Sequence, residues 1–212
     1  MKAALVLKGG AKWPDGQKLA RAGVTRLYYE ANDPQVDAAF MQQLRSWGYE
    51  VGVMRDPVWS NYNQSPEQWI ATVNADINRL APKNPSTGKR PQLAVMLDIE
   101  RHDSDYVYRA LKEFDRTQPG RNYIWTMEYH QAGWFSQQMV DHINADAQCR
   151  VLPQLYYGDM SNCVDSHAAA RDLYQPHAGV NDDRICFFYS LRVPIPHDWD
   201  GCLYVEYMSQ LP

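Results

Sequence analysis

The first eight residues hold only five consecutive apolar side chains, Ala3 to Leu7 between two lysines. That is too few for a signal-peptide core and far too few for the roughly 20 residues of a membrane span. The expectation is synthesis in the cytoplasm without a signal peptide, and no membrane partner. An excess of one charge is also missing. The formal net charge is −4 with both signs interspersed, so no basic patch favours nucleic acid. Cysteine is scarce: Cys149, Cys163, Cys186 and Cys202 form no C-x-x-C and no zinc-ligand spacing, and three of them fall in or beside strand-like segments, where buried free thiols are the ordinary state. Cys186 and Cys202 lie on consecutive predicted strands, which leaves a disulfide between them open. There is no G-x-G-x-x-G, no Walker loop and no nucleophile elbow. Lys8-Gly9-Gly10 reads as a turn, and no cofactor is expected.

Aromatic residues are plentiful, with 14 Tyr and 7 Trp, and both residue types suit places where apolar surface meets polar contacts. The 212 residues fit one domain, somewhat short for an eight-stranded α/β barrel of about 250 residues. Strand-like runs occur at 3–8, 26–31, 49–55, 92–100, 122–129, 151–157, 185–191 and 202–208. Helical patterns stand between them at 15–22, from Asp33 with Pro34 at its first position to Gly48, from the capping box Ser65-Pro66-Glu67-Gln68 to Leu80, and at 105–117, 134–145 and 165–174. Inner faces are predicted at Val36, Ala39, Phe40, Leu44 and Trp47 in the second helix, at Trp69, Ile70, Val73, Ile77 and Leu80 in the third, and at Val107, Ala110, Leu111 and Phe114 in the fourth. Strands alternating with helices, and no helix of any length after the last strand, predict a single compact (β/α)8 barrel over 1–212.

The run 92–100, QLAVMLDIE, is the most informative. With period two, Leu93, Val95, Leu97 and Ile99 share an aliphatic face for helices to cover, while Ala94, Met96, Asp98 and Glu100 share a face that turns acidic at its end. Active sites of such barrels lie at the C-terminal ends of the strands. Of the side chains near those ends, which include Lys8, Tyr28, Arg55, Asp56, Tyr129, Tyr189, Tyr204 and Tyr207, alternation favours Glu30, Asp98, Glu100, Glu128, Gln154, Tyr156 and Glu206 pointing inward. Crowded carboxylates separate one another's pKa values, as cleavage of a glycosidic bond requires. Glu100 is the candidate acid, and Asp98, one layer deeper, the stabiliser of positive charge or the orienting group. Glu30, Glu128, Gln154, Tyr156 and Glu206 are candidate substrate contacts, with rim Tyr and Trp to stack on sugar rings. The plain alternative is a D-x-E held by Arg55, Lys8 or Arg101 in structural ion pairs. Metal binding by the Asp98 to Asp103 run is a weaker reading, since His102 has no suitably spaced second histidine; His130, His167 and His197 read as solvated.

The strand ending LDIE, the aromatic last strands and the closing LYVEYMS resemble the family 25 glycoside hydrolases, muramidases whose fourth strand carries a D-x-E pair. The resemblance implies hydrolysis of the β-1,4 bond after N-acetylmuramic acid in peptidoglycan, with Glu100 as acid and Asp98 beside it. It also implies a bacteriophage product, either an endolysin or a tail component with virion proteins as partners, released to the cell wall or held in the virion. The chain departs from the family at two acids. Leu7-Lys8-Gly9 stands where the first strand ends in aspartate, and Gln154-Leu155-Tyr156 where the sixth-strand aspartate belongs. A barrel that keeps the fold and binds glycan without cutting it is the alternative these departures raise.

Overall fold

The computed structural model describes residues 1–6, 16–56, 63–99, 103–128, 135–154, 179–190 and 199–205. Eight parallel strands close on themselves in sequence order, β1 pairing with β8. They are β1 Lys2–Val6, β2 Arg26–Glu30, β3 Glu50–Arg55, β4 Ala94–Asp98, β5 Tyr123–Glu128, β6 Cys149–Gln154, β7 Phe187–Ser190 and β8 Gly201–Val205. Between them run α1 Gly16–Arg21, α2 Ala38–Ser46, α3 Pro66–Leu80, α4 Ser104–Thr117 and α5 Gln137–Ala145. The chain is an α/β barrel of the (β/α)8 type. The helical pattern at 165–174 and the residues after β8 lie outside the described part.

Alternation along the strands separates two cores. Val95 and Leu97 of β4, with Leu93 and Ile99 on either side of it, belong to the outer layer with the helix faces, whereas Met96 sits inside the barrel with Ala94 packed against the same group. The inner set is Ala3, Leu5, Tyr28, Met54, Met96, Ile124, Leu152, Cys186, Phe188 and Cys202. A one-residue slip of any strand would exchange the two sets, so burial on both faces pins the register. In α3 and α4 every side chain expected to face inward is buried, joined by Tyr106. The Ser65 box is complete: the hydroxyl accepts from Gln68 N, and the Gln68 amide oxygen accepts from Ser65 N. Gly23 and Gly48 follow α1 and α2 with φ of 72° and 89°, the left-handed conformation that ends helices at little cost for glycine.

The start of α2 differs from the sequence expectation. Asp33 and Pro34 form a turn, with the Asp33 carboxylate accepting from Gln35 N at 2.8 Å. The cap is Asp37, which accepts from Phe40 N at 2.7 Å. Starting there places Val36, Phe40, Met41 and Leu44 against the barrel, and it leaves Ala39 and Trp47 exposed, the latter at 48 %. Trp47 follows the last turn of α2, so helical spacing no longer directs it inward. Cys149, Cys186 and Cys202 are buried free thiols, and no disulfide joins Cys186 to Cys202. Burial pushes the Cys186 thiol up to about 11, partly offset by Arg150, and raises Cys149 further.

Candidate active site

The inside of the barrel is apolar through its middle and becomes polar where the strands end. In β4 that change falls at Asp98, in β2 at Glu30, in β5 at Thr126 and in β6 at Gln154. Asp98 stands in register with Thr126 on the neighbouring strand. Gln154, one strand further on and 3 % exposed, donates from Nε2 to Asp98 Oδ1 at 3.2 Å. This bond ties β4 to β6 across β5. The amide N–H donates to one carboxylate oxygen, so the contact orients Asp98 and leaves further lone pairs of the carboxyl group to accept from other groups. Asp98 and Glu30 are partly exposed, as an opening to solvent requires.

Thr126 was not among the sequence candidates. It is completely buried, and its hydroxyl has no hydrogen-bond partner among the described residues. A buried hydroxyl without a partner costs on the order of 1–3 kcal/mol, so a donor and acceptor stands ready beside Asp98. Its only sequence signal is a small polar residue in the run YIWTME, on the same alternation as Glu128.

Glu30 is in register with Met54 of β3, and Glu128 ends β5 in register with Gln154. Glu100, Tyr156 and Glu206 lie outside the described residues, as do Lys8, Arg101, His102, Tyr129, Tyr207 and the other expected histidines His130, His167 and His197. Three candidates near the strand ends turn elsewhere. Arg55 follows the outward alternation of Val51 and Val53 and pairs with Asp76 of α3, Nε to Oδ2 at 3.6 Å. Tyr28 is fully buried in the barrel interior, with burial raising its phenol against the opposing pull of Arg26. Tyr189 packs outside the sheet, edge-on to Trp199. The aromatic excess is accordingly spent largely on packing among the described residues, since Tyr29, Trp69, Tyr106, Tyr123 and Trp125 are buried as well.

The proposed metal run loses one ligand to structure: Asp103 caps α4, accepting from Tyr106 N at 3.1 Å. Among the described residues one other group has ligand atoms close together, Asp115, His142 and Asp146, all within 4.8 Å of one another. His142 Nε2 already lies 2.9 Å from Asp115 Oδ2, so an imidazole–carboxylate pair between α4 and α5 accounts for two of the three. No described helix is long and apolar enough to cross a membrane.

Comparison with known proteins returned no match: no family model, no curated protein and no solved structure matches this chain. The chemistry of the mouth therefore rests on its own residues.

Proposed function

We propose that this barrel hydrolyses a glycan, bacterial cell-wall peptidoglycan by the resemblance of its LDIE strand, through carboxylate catalysis at the C-terminal mouth. The observation that carries the reading is Asp98, held by Gln154 at the top of an interior that is apolar through its middle, beside the Thr126 hydroxyl, which has no partner among the described residues. In this reading Glu100, two residues on, donates a proton to the leaving oxygen. Asp98 stabilises positive charge on the sugar in the transition state, or acts on a water or on the anomeric carbon. Glu30, Glu128, Gln154, Tyr156 and Glu206 contact the substrate around them. The protein then acts at the cell wall as a released lytic factor or as part of a virion. Pure protein mixed with peptidoglycan should lower turbidity and release reducing ends, and Glu100→Gln should abolish both with folding intact.

A second reading is supported by Gln154 itself. The resembled family carries an aspartate on this strand, and here an amide occupies the position and is engaged by Asp98. Residues 2–6 of β1 also contain no acid. A catalytically silent glycan-binding or structural barrel, such as a phage tail component, fits those substitutions. Saturable glycan binding with no cleavage, unaltered by Glu100→Gln, would decide for it, and clear turnover by wild type would decide against it.

A further inference from the structure

The N-terminal ends of the strands, at the opposite face of the barrel from Asp98, surround a cleft of about 500 Å³. Four arginines line it, Arg26, Arg45, Arg90 and Arg121. Arg26 is neutralised by Glu50, Nε to Oε2 at 2.8 Å. The other three have no carboxylate partner among the described residues and donate to neutral acceptors. Arg45 Nη2 reaches Gln92 O at 3.1 Å, Arg121 Nη1 reaches Leu93 O at 2.6 Å, and Arg90 Nη1 reaches Ala81 O at 2.8 Å. Gln92 and Leu93 are consecutive, so Arg45 from the last turn of α2 and Arg121 from the segment before β5 converge on one stretch of backbone. Arg90 lies two residues upstream of it.

Each guanidinium has five N–H donors in a planar fork. The Arg45 Nε–H is buried with no partner among the described residues, and among those residues each of the three uses only part of its fork. Burial lowers the pKa of Arg45 and of Arg121, with Arg90's positive charge adding to the effect at Arg121. Arginine stays charged all the same. Like charges held together with unfilled donors are relieved by an anion that offers several oxygens. A carboxylate brings one charge and two oxygens, whereas a phosphate monoester brings roughly two charges and three. The volume is in the range of small-molecule clefts, and Val51, Pro91 and Leu93 supply apolar wall for the remainder of such a ligand.

We propose that this cleft binds the phosphate group of a small phosphorylated molecule, at the opposite end of the barrel from the carboxylate mouth and independently of its chemistry.

The test is titration of the full chain at low ionic strength with phenyl phosphate, inorganic phosphate and benzoate, followed by calorimetry and by ³¹P line broadening. Saturable binding of phenyl phosphate is expected, weaker binding of inorganic phosphate, and negligible binding of benzoate. Arg45→Gln should weaken phenyl phosphate by about tenfold or more, the scale of one charge-assisted hydrogen bond, and Arg45→Lys by less. Arg121→Gln removes the bond to Leu93 O and is read only if circular dichroism shows a native fold; Arg45→Gln, on the partly exposed end of α2, carries the test otherwise. The proposal is overturned if wild type binds neither phosphate, if benzoate binds as well as phenyl phosphate, or if folded Arg45→Gln binds like wild type. In each of those cases the arginines serve only as caps for backbone carbonyls.

Discussion

Gly52→Ala should destabilise the barrel although alanine is small and suits a strand better than glycine does. Gly52 is the register partner of Tyr28 on one side and of Ala94 on the other. A Cβ at Gly52 would stand 2.4 Å from Tyr28 Cε1, 2.5 Å from Tyr28 Cδ1 and 3.0 Å from Ala94 O. Tyr28 is fully buried, its ring packed within the group that includes Leu5, Met54 and Met96, and the Ala94 oxygen is backbone. Neither wall gives way cheaply. Overpacking of this kind costs about 1–3 kcal/mol; at roughly 2–4 °C per kcal/mol for a chain of this size, Tm should fall by about 2–12 °C. Urea denaturation followed by tryptophan fluorescence would measure it. Tyr28→Leu alone should also destabilise, by opening a cavity and removing the hydroxyl that Arg26 approaches at 3.4 Å. The double variant should cost less than the sum, with a coupling of about 0.5–3 kcal/mol, because removing the ring makes room for the methyl. An unchanged midpoint for Gly52→Ala, or strict additivity in the double variant, would refute this account of the interior packing.

Three other outcomes are expected. On the proposed hydrolase reading, Glu100→Gln should lower glycan hydrolysis by on the order of 10²- to 10⁴-fold with binding retained; wild-type rate should also fall as pH rises through the pKa of the acid, and a variant with near-normal rate would redirect attention to Glu128 and Glu206. Cys149, Cys186 and Cys202 should resist alkylation at pH 8, because burial raises all three thiols, Cys186 to about 11, and react once urea unfolds the chain; peptide mapping that finds them labelled in the native protein would contradict their placement. Ser65→Ala should cost about 0.5–2 kcal/mol through loss of the α3 capping box, read as a lower urea midpoint with an unchanged slope.

Local chemistry made much of this protein legible. The aliphatic alternation from Leu93 to Ile99 assigned both faces of β4, since side chains two apart in a strand must share a side. The spacing in α3 and α4 identified their buried stripes, and the Ser65 box marked a helix start, because its partners lie within four residues of one another. The same logic was misled at Asp33-Pro34. That pair is as good a helix start by local rules as Asp37, and what selects Asp37 is the packing of Val36, Phe40, Met41 and Leu44 on the barrel.

Tertiary structure alone decided which distant residues meet. Gln154 reaches Asp98 across 56 positions, and nothing near either residue announces the bond. Arg55, adjacent in sequence to acidic Asp56, turns outward to Asp76 because its strand register leaves no other side. Tyr28 is sunk into the interior opposite a glycine 24 positions away, a fit visible only once β2 and β3 are paired. The arginines of the N-terminal cleft come from four separate segments, and only the closed barrel shows that Glu50 pairs with Arg26 while Arg45, Arg90 and Arg121 meet no carboxylate among the described residues. Periodicity is a property of neighbours along the chain, so sequence determined the faces of the elements. Charge pairing, depth and convergence are properties of neighbours in space, which only the closed sheet brings together.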